Sequence, residues 1–542
     1  MIYLFFMTIL LLPVLTGLGV VFKKLCRYSP PEISMTIFYG IFGITLLWTV
    51  IAFFFPLTIY VESATILMGL GSFFYFKIYL KFWQFFSKNV KIFLPIFLII
   101  LFFGSGFPFI LDHFGYYIPT IKWISEIGLV KGISNLDLLL GQMSFWHIFQ
   151  AGFSHFADPF LRVNVLVLVV YLIYILEKKC WIHLLFLPVL FLFAQSPSPD
   201  LAVVVFSLMI LNEVLLKDKN TGHLFALALF IFAIKPTMIW IPLFVFCYSI
   251  LIRKDHFRVL IFGIFVLFLF FFKNSWTFGF PVFPVQFPDF NFVWKPNADL
   301  LQTSSEFAIR KTFDMQFDYS EIQKFSTYDY FKNWIFLKGI KGKIHVVFIL
   351  SLLIFFLFSL FKKSRIIWML FVSILLKSIL VLWFSAQYRF FFDVFFVIIF
   401  VLFYKGFPKK LALGIFAIFT VFSATFLSYP NLIKEFLPSF NLGKFMTGFT
   451  KDQWYKPATF ELQKYKSHQI GNLKFNIVDG YVFSFDTPIP AISPQFIKED
   501  LEAGIFPQLK GKTLKEGFIW RKISEKEKLQ LQKILDELRK TP

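Results

Sequence analysis

Residues 112–146 read DHFGYYIPTIKWISEIGLVKGISNLDLLLGQMSFW, the first long polar stretch after a mostly apolar N-terminal region. It opens with a carboxylate, Asp112, at the end of an apolar run, and is then dense in Tyr, Trp, Lys, Glu and Gly. Such a segment adds nothing to the power of a chain to span a bilayer. Its simplest reading is a substrate-facing loop held at a membrane surface. A helical period runs from Ile118 to Ile127, with Ile121, Ile124 and Leu129 on one stripe. That spacing predicts an amphipathic helix lying along the membrane.

The regions around this stretch set the class. A hydrophobic content of 58% and a mean hydropathy of +0.72 over 542 residues exclude an ordinary soluble protein. Apolar runs long enough to cross a ~30 Å hydrocarbon core recur from residue 2 to residue 428. The net charge of +21 does not imply a nucleic-acid partner, because the basic residues sit in short clusters between apolar runs, as positive-inside topology requires. The 84 Phe residues read as lipid-facing and core filler. Cys26, Cys180 and Cys247 lie in cytoplasmic loops or a helix and make no disulfide framework. Ile2 to Phe22 lacks a basic n-region and a small-residue cleavage site, so it reads as a retained helix.

The basic clusters write a topology. Lys23, Lys24 and Arg27 follow the first span, and Lys77, Lys81, Lys88 and Lys91 lie between the third and fourth. Further clusters stand at Lys178/Lys179, Lys217/Lys219, Arg253/Lys254/Arg258, Lys362/Lys363/Arg365 and Lys405/Lys409/Lys410. Every second junction is basic, and the alternate ones carry almost no Lys or Arg. This pattern implies about fourteen spans with both termini outside. The expected spans are 2–22, 34–55, 57–76, 92–111, 161–176, 181–194, 201–216, 222–234, 238–252, 259–272, 344–361, 366–384, 390–404 and 411–428.

The expected fold is therefore a mainly α, polytopic membrane protein. It has an N-terminal bundle (1–91), a transmembrane core (92–428) and a small α/β C-terminal domain (429–542). The loops 112–160 and 273–343 and the C-terminal domain all fall on the outer face. In the tail, Leu473 to Val478 and Tyr481 to Phe485 read as strands. A closing helix begins at a capping box, Ser524 with Glu527, and repeats Leu531, Ile534, Leu535 and Leu538 on one face.

Asp112 leads the candidate residues, since a carboxylate where a span emerges is costly unless it has a use or a partner. Arg389 stands at the outer end of a span, where Asp393 at i+4 could pair with it. Lys235 is placed either to meet phosphate or to snorkel to the interface. Lys377, deep in a span, is either paired or lines a polar cavity, the cavity being the favoured reading. Asp200 and Asp289 are accessory carboxylates that could assist Asp112 or hold a divalent cation. No cofactor beyond that metal ion is suggested. His147 and His155 read as ordinary polar positions. No Walker loop, dinucleotide fingerprint or zinc spacing is present.

An acidic residue at the outer end of a span, followed by Tyr or His and an interfacial helix, resembles the GT-C superfamily of polytopic glycosyltransferases. More narrowly the chain resembles an uncharacterised bacterial family of GT-C-like membrane proteins with the pattern D-x-x-x-Y-H-x-x-x-I-K-W-I-x-E and a Gly-containing step to N-L. Asp112, Tyr116, Ile121, Lys122, Trp123, Ile124, Glu126, Gly132, Asn135 and Leu136 stand in step with it. Further weak matches fall at Gln195–Asp200, Gly279 to Trp294, Gln387–Phe390, Asp486–Pro490 and Leu514–Phe518. The chain departs from the pattern at Tyr117 (His in the family), Leu139 and Met143 (Arg and Asn), and Ser484 and Ala491 (often Cys).

The resemblance implies a sugar transfer from a polyprenyl-phosphate-linked donor to an extracytoplasmic glycan, lipid or protein acceptor, in a bacterial inner membrane. Asp112 would be the catalytic base. Tyr116, Tyr117, Lys122, Trp123, Glu126, Asn135, Lys235 and Arg389 would bind substrate, Arg389 with a fork suited to the lipid phosphate. The alternatives are a transporter or flippase of lipid-linked glycan, and a non-catalytic protein that keeps the fold.

Overall fold

The computed structural model describes residues 1–26, 32–429, 431, 448–460 and 464–540, and is mainly helical. Among the described residues eight helices are long and apolar enough to cross a membrane. They are Ile2–Leu25, Ile33–Phe54, Tyr79–Gly104, Pro236–Arg253, Phe257–Thr277, Ile340–Lys362, Arg365–Phe384 and Lys409–Ser428. The other expected spans coincide with shorter helical runs: Ile59–Tyr75, Val163–Lys178, Trp181–Phe193, Pro199–Leu215, Thr221–Ile234 and Phe392–Phe403. Phe392–Phe403 has 12 residues. At 1.5 Å per residue it reaches about 18 Å, well short of a hydrocarbon core. Val163–Lys178 and Pro199–Leu215 are buried almost end to end, so protein rather than lipid surrounds them.

The first four helices are α1 (Ile2–Leu25), α2 (Ile33–Phe54), α3 (Ile59–Tyr75) and α4 (Tyr79–Gly104). Helices α1, α2 and α3 pack closely because glycines let their backbones touch. A methyl group on Gly19 would lie 1.9 Å from the Thr36 carbonyl oxygen, and one on Gly40 2.0 Å from that of Leu15. Helix α2 also packs on later helices, and the expected boundary after residue 91 falls inside α4. The N-terminal helices are thus continuous with the core.

The outer segments fold back onto this core. Glu62, fully buried in α3, accepts the backbone N–H groups of His155, Phe156 and Ala157, which pins the far end of the 112–160 loop. Arg162 is fully buried and donates to the carbonyls of Gly104, Phe160, Gly106 and Ala458. Its guanidinium thereby joins α4, the loop and the start of the tail.

Within the loop lie α5 (Ile118–Glu126), α6 (Phe145–Ala151) and, beyond it, α7 (Val163–Lys178). Helix α5 does not lie bare on a membrane as its period suggested. Ile121 and Ile124 are buried, and so is Trp123, whose ring meets Phe518 of the C-terminal domain at 5.7 Å. The stripe that predicts a membrane contact is covered by protein instead.

The C-terminal domain holds two antiparallel hairpins. β1 (Tyr465–Ile470) pairs with β2 (Leu473–Val478), and β3 (Ile505–Leu509) pairs with β4 (Phe518–Lys522). Two-stranded sheets are marginal alone. Phe475 and Phe506 join the two (5.3 Å), as does Gln508, which donates to the Ile470 carbonyl (3.1 Å). The closing helix Glu525–Lys540 begins at the Ser524/Glu527 capping box and buries Leu531, Ile534 and Leu535. Tyr481 to Phe485 is not a strand. It is an irregular strap whose Phe485 N–H bonds the Phe114 carbonyl (3.2 Å) and whose aromatic rings cluster on Phe114.

Candidate functional site

Asp112 stands at the head of a five-residue π-turn, His113–Tyr117, that leads directly into α5. The i→i+5 bonding of a π-turn widens the helix and recurs at functional positions. Here it brings two tyrosines into the field of Asp112. The Tyr116 hydroxyl interacts with Tyr117 and Tyr117 with Ser198, and both phenols are pushed up by burial and then by nearby carboxylate or phenol charge. The turn is fixed from behind, where His113 Nδ1 lies 2.9 Å from Ser196 Oγ. The Ser196 and Ser198 carbonyls are in turn held by the Asn164 amide.

Arg389 closes the site from the far end of the sequence. It lies in a 3₁₀ turn, Tyr388–Phe390, between Arg365–Phe384 and Phe392–Phe403. Its Nη1 donates to Asp112 Oδ2 at 3.1 Å, with the side chains 41% and 35% exposed. The Arg389 Nε is buried and has no partner among the described residues. The alternative pairing with Asp393 does not occur. An i,i+4 pair needs one continuous helix, and the helix begins only at Phe392.

More cations surround the pair. Lys311, in the last turn of Ala298–Thr312, feels both Arg389 and Asp112; burial, then Arg389, lowers its pKa. Lys235 forms an ion pair with Asp200, whose Oδ2 is also 3.2 Å from Ser198 Oγ. Lys235 Nζ (5.4 Å) and Arg389 Cζ (5.0 Å) both face the Phe390 ring. Lys341, paired with Asp314, faces Tyr388 at 5.8 Å. The result is an accessible carboxylate set among cations and buried phenols.

The structure thus brings together Asp112, Tyr116, Tyr117, Asp200, Lys235 and Arg389. It gives other expected substrate-binding residues structural work. Lys122 bridges to Asp486 of the tail strap (2.8 Å), and Trp123 is core. Asn135 donates to the Trp294 carbonyl at 2.7 Å, and Glu126 is exposed at the end of α5. Asp289 is paired with Lys295 in an exposed loop. With Asp200 taken by Lys235, the two accessory carboxylates are each matched to a lysine. No group of three or more His, Cys, Asp or Glu able to hold a metal exists among the described residues.

Lys377 does not line an open polar cavity. It forms a buried ion pair with Asp393, whose Oδ2 also accepts from Trp240 Nε1 at 2.8 Å. His147 and His155, expected to be ordinary polar positions, each have structural partners. Buried His147 caps α6 and lies against the Tyr116 and Tyr117 rings, and His155 Nε2 meets the Leu57 carbonyl at 2.8 Å. Lys311 and Ser198 went unforeseen. Lys311 ends a helix beside Arg310, where basic residues are ordinary, so it carries no local signal.

A family described as a domain of unknown function (DUF8201) matches residues 1–396. The chain belongs to this family. No curated protein and no solved structure matches it. The matched region contains Asp112, the π-turn, Lys235, Lys311 and Arg389, so the whole cluster lies within the family's domain, and the C-terminal domain lies outside it.

Proposed function

We propose that this protein is a GT-C-type membrane glycosyltransferase that moves a sugar from a polyprenyl-phosphate-linked donor to an extracytoplasmic acceptor, in a bacterial inner membrane. In this reading the six shorter helical runs complete a core of about fourteen crossings or re-entrant segments. The observation that carries the proposal is Asp112. It is one-third exposed and touches Arg389 through one oxygen, and its other oxygen has no hydrogen bond from the described residues.

The chemistry needs few parts. Asp112 takes the proton of an acceptor hydroxyl as that oxygen attacks the anomeric carbon. The bond from that carbon to the phosphate oxygen breaks, and the lipid phosphate leaves with the electron pair. Arg389, with its unengaged Nε, and Lys311 offset the charge that develops on the phosphate. Tyr116 and Tyr117 remain neutral donors at the wall of the site. The flippase alternative is weakened by Lys377, whose charge is closed off by Asp393.

The test is complementation of a deletion strain by Asp112→Asn at wild-type expression, with surface glycans followed by mass spectrometry. Loss of one sugar-bearing product is the expected result. An unchanged glycan profile, in a strain whose deletion has a defect, would remove Asp112 as the base and leave transport or a non-catalytic role.

A further inference from the structure

We propose that the first half of α4, with the elbow that precedes it, binds anionic phospholipid headgroups. This stands apart from the reading of the Asp112 site and draws on a different part of the molecule.

No Asp or Glu occurs between Glu62 and Asp112, and Lys77, Lys81, Lys88 and Lys91 fall in that interval. All four are exposed, and none forms a salt bridge with a described residue. Three of them lie on α4 at i, i+7 and i+10, which a helical period of 3.6 places on one stripe. Gln84 falls on the same stripe. Large apolar side chains are exposed along the same stretch of chain: Leu80 at 50% next to the stripe, Trp83 at 76% on another face of α4, and Tyr75 at 80% at the end of α3.

Burial along α4 is uneven. From Tyr79 to Lys91 only Phe85 is buried, whereas Phe93, Ile96, Phe97, Ile100, Leu101 and Phe103 are buried in the second half. The first half, about 20 Å long, is therefore hardly embedded in protein. Lysines alternating with Trp and Tyr are the composition of a membrane–water interface, where indole and phenol rings sit at headgroup level. A face with cations and no anions complements phosphate, and each lysine near an anionic surface strengthens binding roughly fivefold.

The experiment extracts the full-length protein from vesicles of phosphatidylcholine containing about 30 mol % phosphatidylglycerol and counts retained lipids by native mass spectrometry. Wild type is expected to retain phosphatidylglycerol in preference to phosphatidylcholine. The combined variant Lys81→Gln, Lys88→Gln, Lys91→Gln should lose that preference while keeping its melting temperature. The control Lys362→Gln, Lys363→Gln, at a different basic cluster, should keep it. Should the triple variant not fold, wild type decides alone, since its preference must collapse at about 0.5 M salt, where screening is short-ranged. Equal retention of the two lipids by wild type overturns the proposal. So does a preference that survives the triple substitution in a folded protein. Loss of a bound protein instead of a lipid from the triple variant would assign the face to a protein partner and overturn it as well.

Discussion

At the scale of single residues, the proposed function makes the Asp112–Arg389 pair a matter of chemistry more than of stability. An ion pair this exposed contributes about 0–1 kcal/mol, so its disruption should leave folding intact. Arg389→Lys keeps the charge but loses the planar fork and the Nε donor. It is expected to lower product formation about tenfold or more, and Arg389→Gln about 10²–10³-fold, with the melting temperature unchanged for both. Product formed in isolated membranes, normalised to protein, measures this. Full activity in Arg389→Lys would show that a point charge suffices. The buried Lys377–Asp393 pair has the opposite character. Its charges are enclosed and answer to each other, so they stand ready for no ligand.

At the scale of elements, the contact between the 112–160 loop and the C-terminal domain carries a pH dependence. Asp137 is buried, and burial raises its carboxyl from 3.8 to about 7 against the pull of the Leu139 N–H and the Ser493 hydroxyl. Asp500, on Pro494–Glu502, is raised in the same direction by burial and by Glu499 and Asp137. The folded state therefore keeps protons that the unfolded chain releases above about pH 4. The stability that Asp137 contributes is complete below pH 3.8 and is lost as pH rises through about 7, and Asp500 shifts stability in the same direction. Hydrogen exchange at the Leu139 amide, corrected for its intrinsic rate, should show protection falling over that window in wild type. Asp137→Asn should flatten its own share. A wild-type profile without slope would mean that the carboxylates are ionised and solvated where they stand.

At the scale of the whole molecule, one of the residues that fasten the C-terminal domain to the helical core is a lysine reaching three carbonyls. Lys515 Nζ donates to the carbonyls of Ala52, Ile127 and Leu129 at 3.1–3.2 Å, joining the end of α2 to the loop behind α5. Gly128 (φ 91°) allows that loop to close on it, since a Cβ there would lie 2.8 Å from Lys515 Nζ. Lys515→Met leaves three partly buried acceptors short of a donor, at a cost of about 1–3 kcal/mol. Proteolysis within the 465–540 domain should then run about tenfold faster or more, cleavage following undocking. Unchanged cleavage would place the anchorage in the aromatic strap on Phe114 instead.

What the sequence determined by itself is the membrane class, the approximate helical segments and the position of Asp112. Hydrophobic runs and charge clusters are local quantities, and each is legible without knowing what lies opposite. The Ser524/Glu527 cap and β2 were legible for the same reason. Tertiary structure decided who pairs with whom. Arg389 turned to Asp112 because a 3₁₀ turn separates it from Asp393. Trp123, expected to bind substrate, is core instead because Phe518, far along the chain, packs on it. Lys311 joined the site only because the loop helix that carries it, Ala298–Thr312, ends beside Arg389 and Asp112. Each of these is a contact between residues remote in sequence or set by backbone geometry, and neither period nor composition encodes such a contact locally.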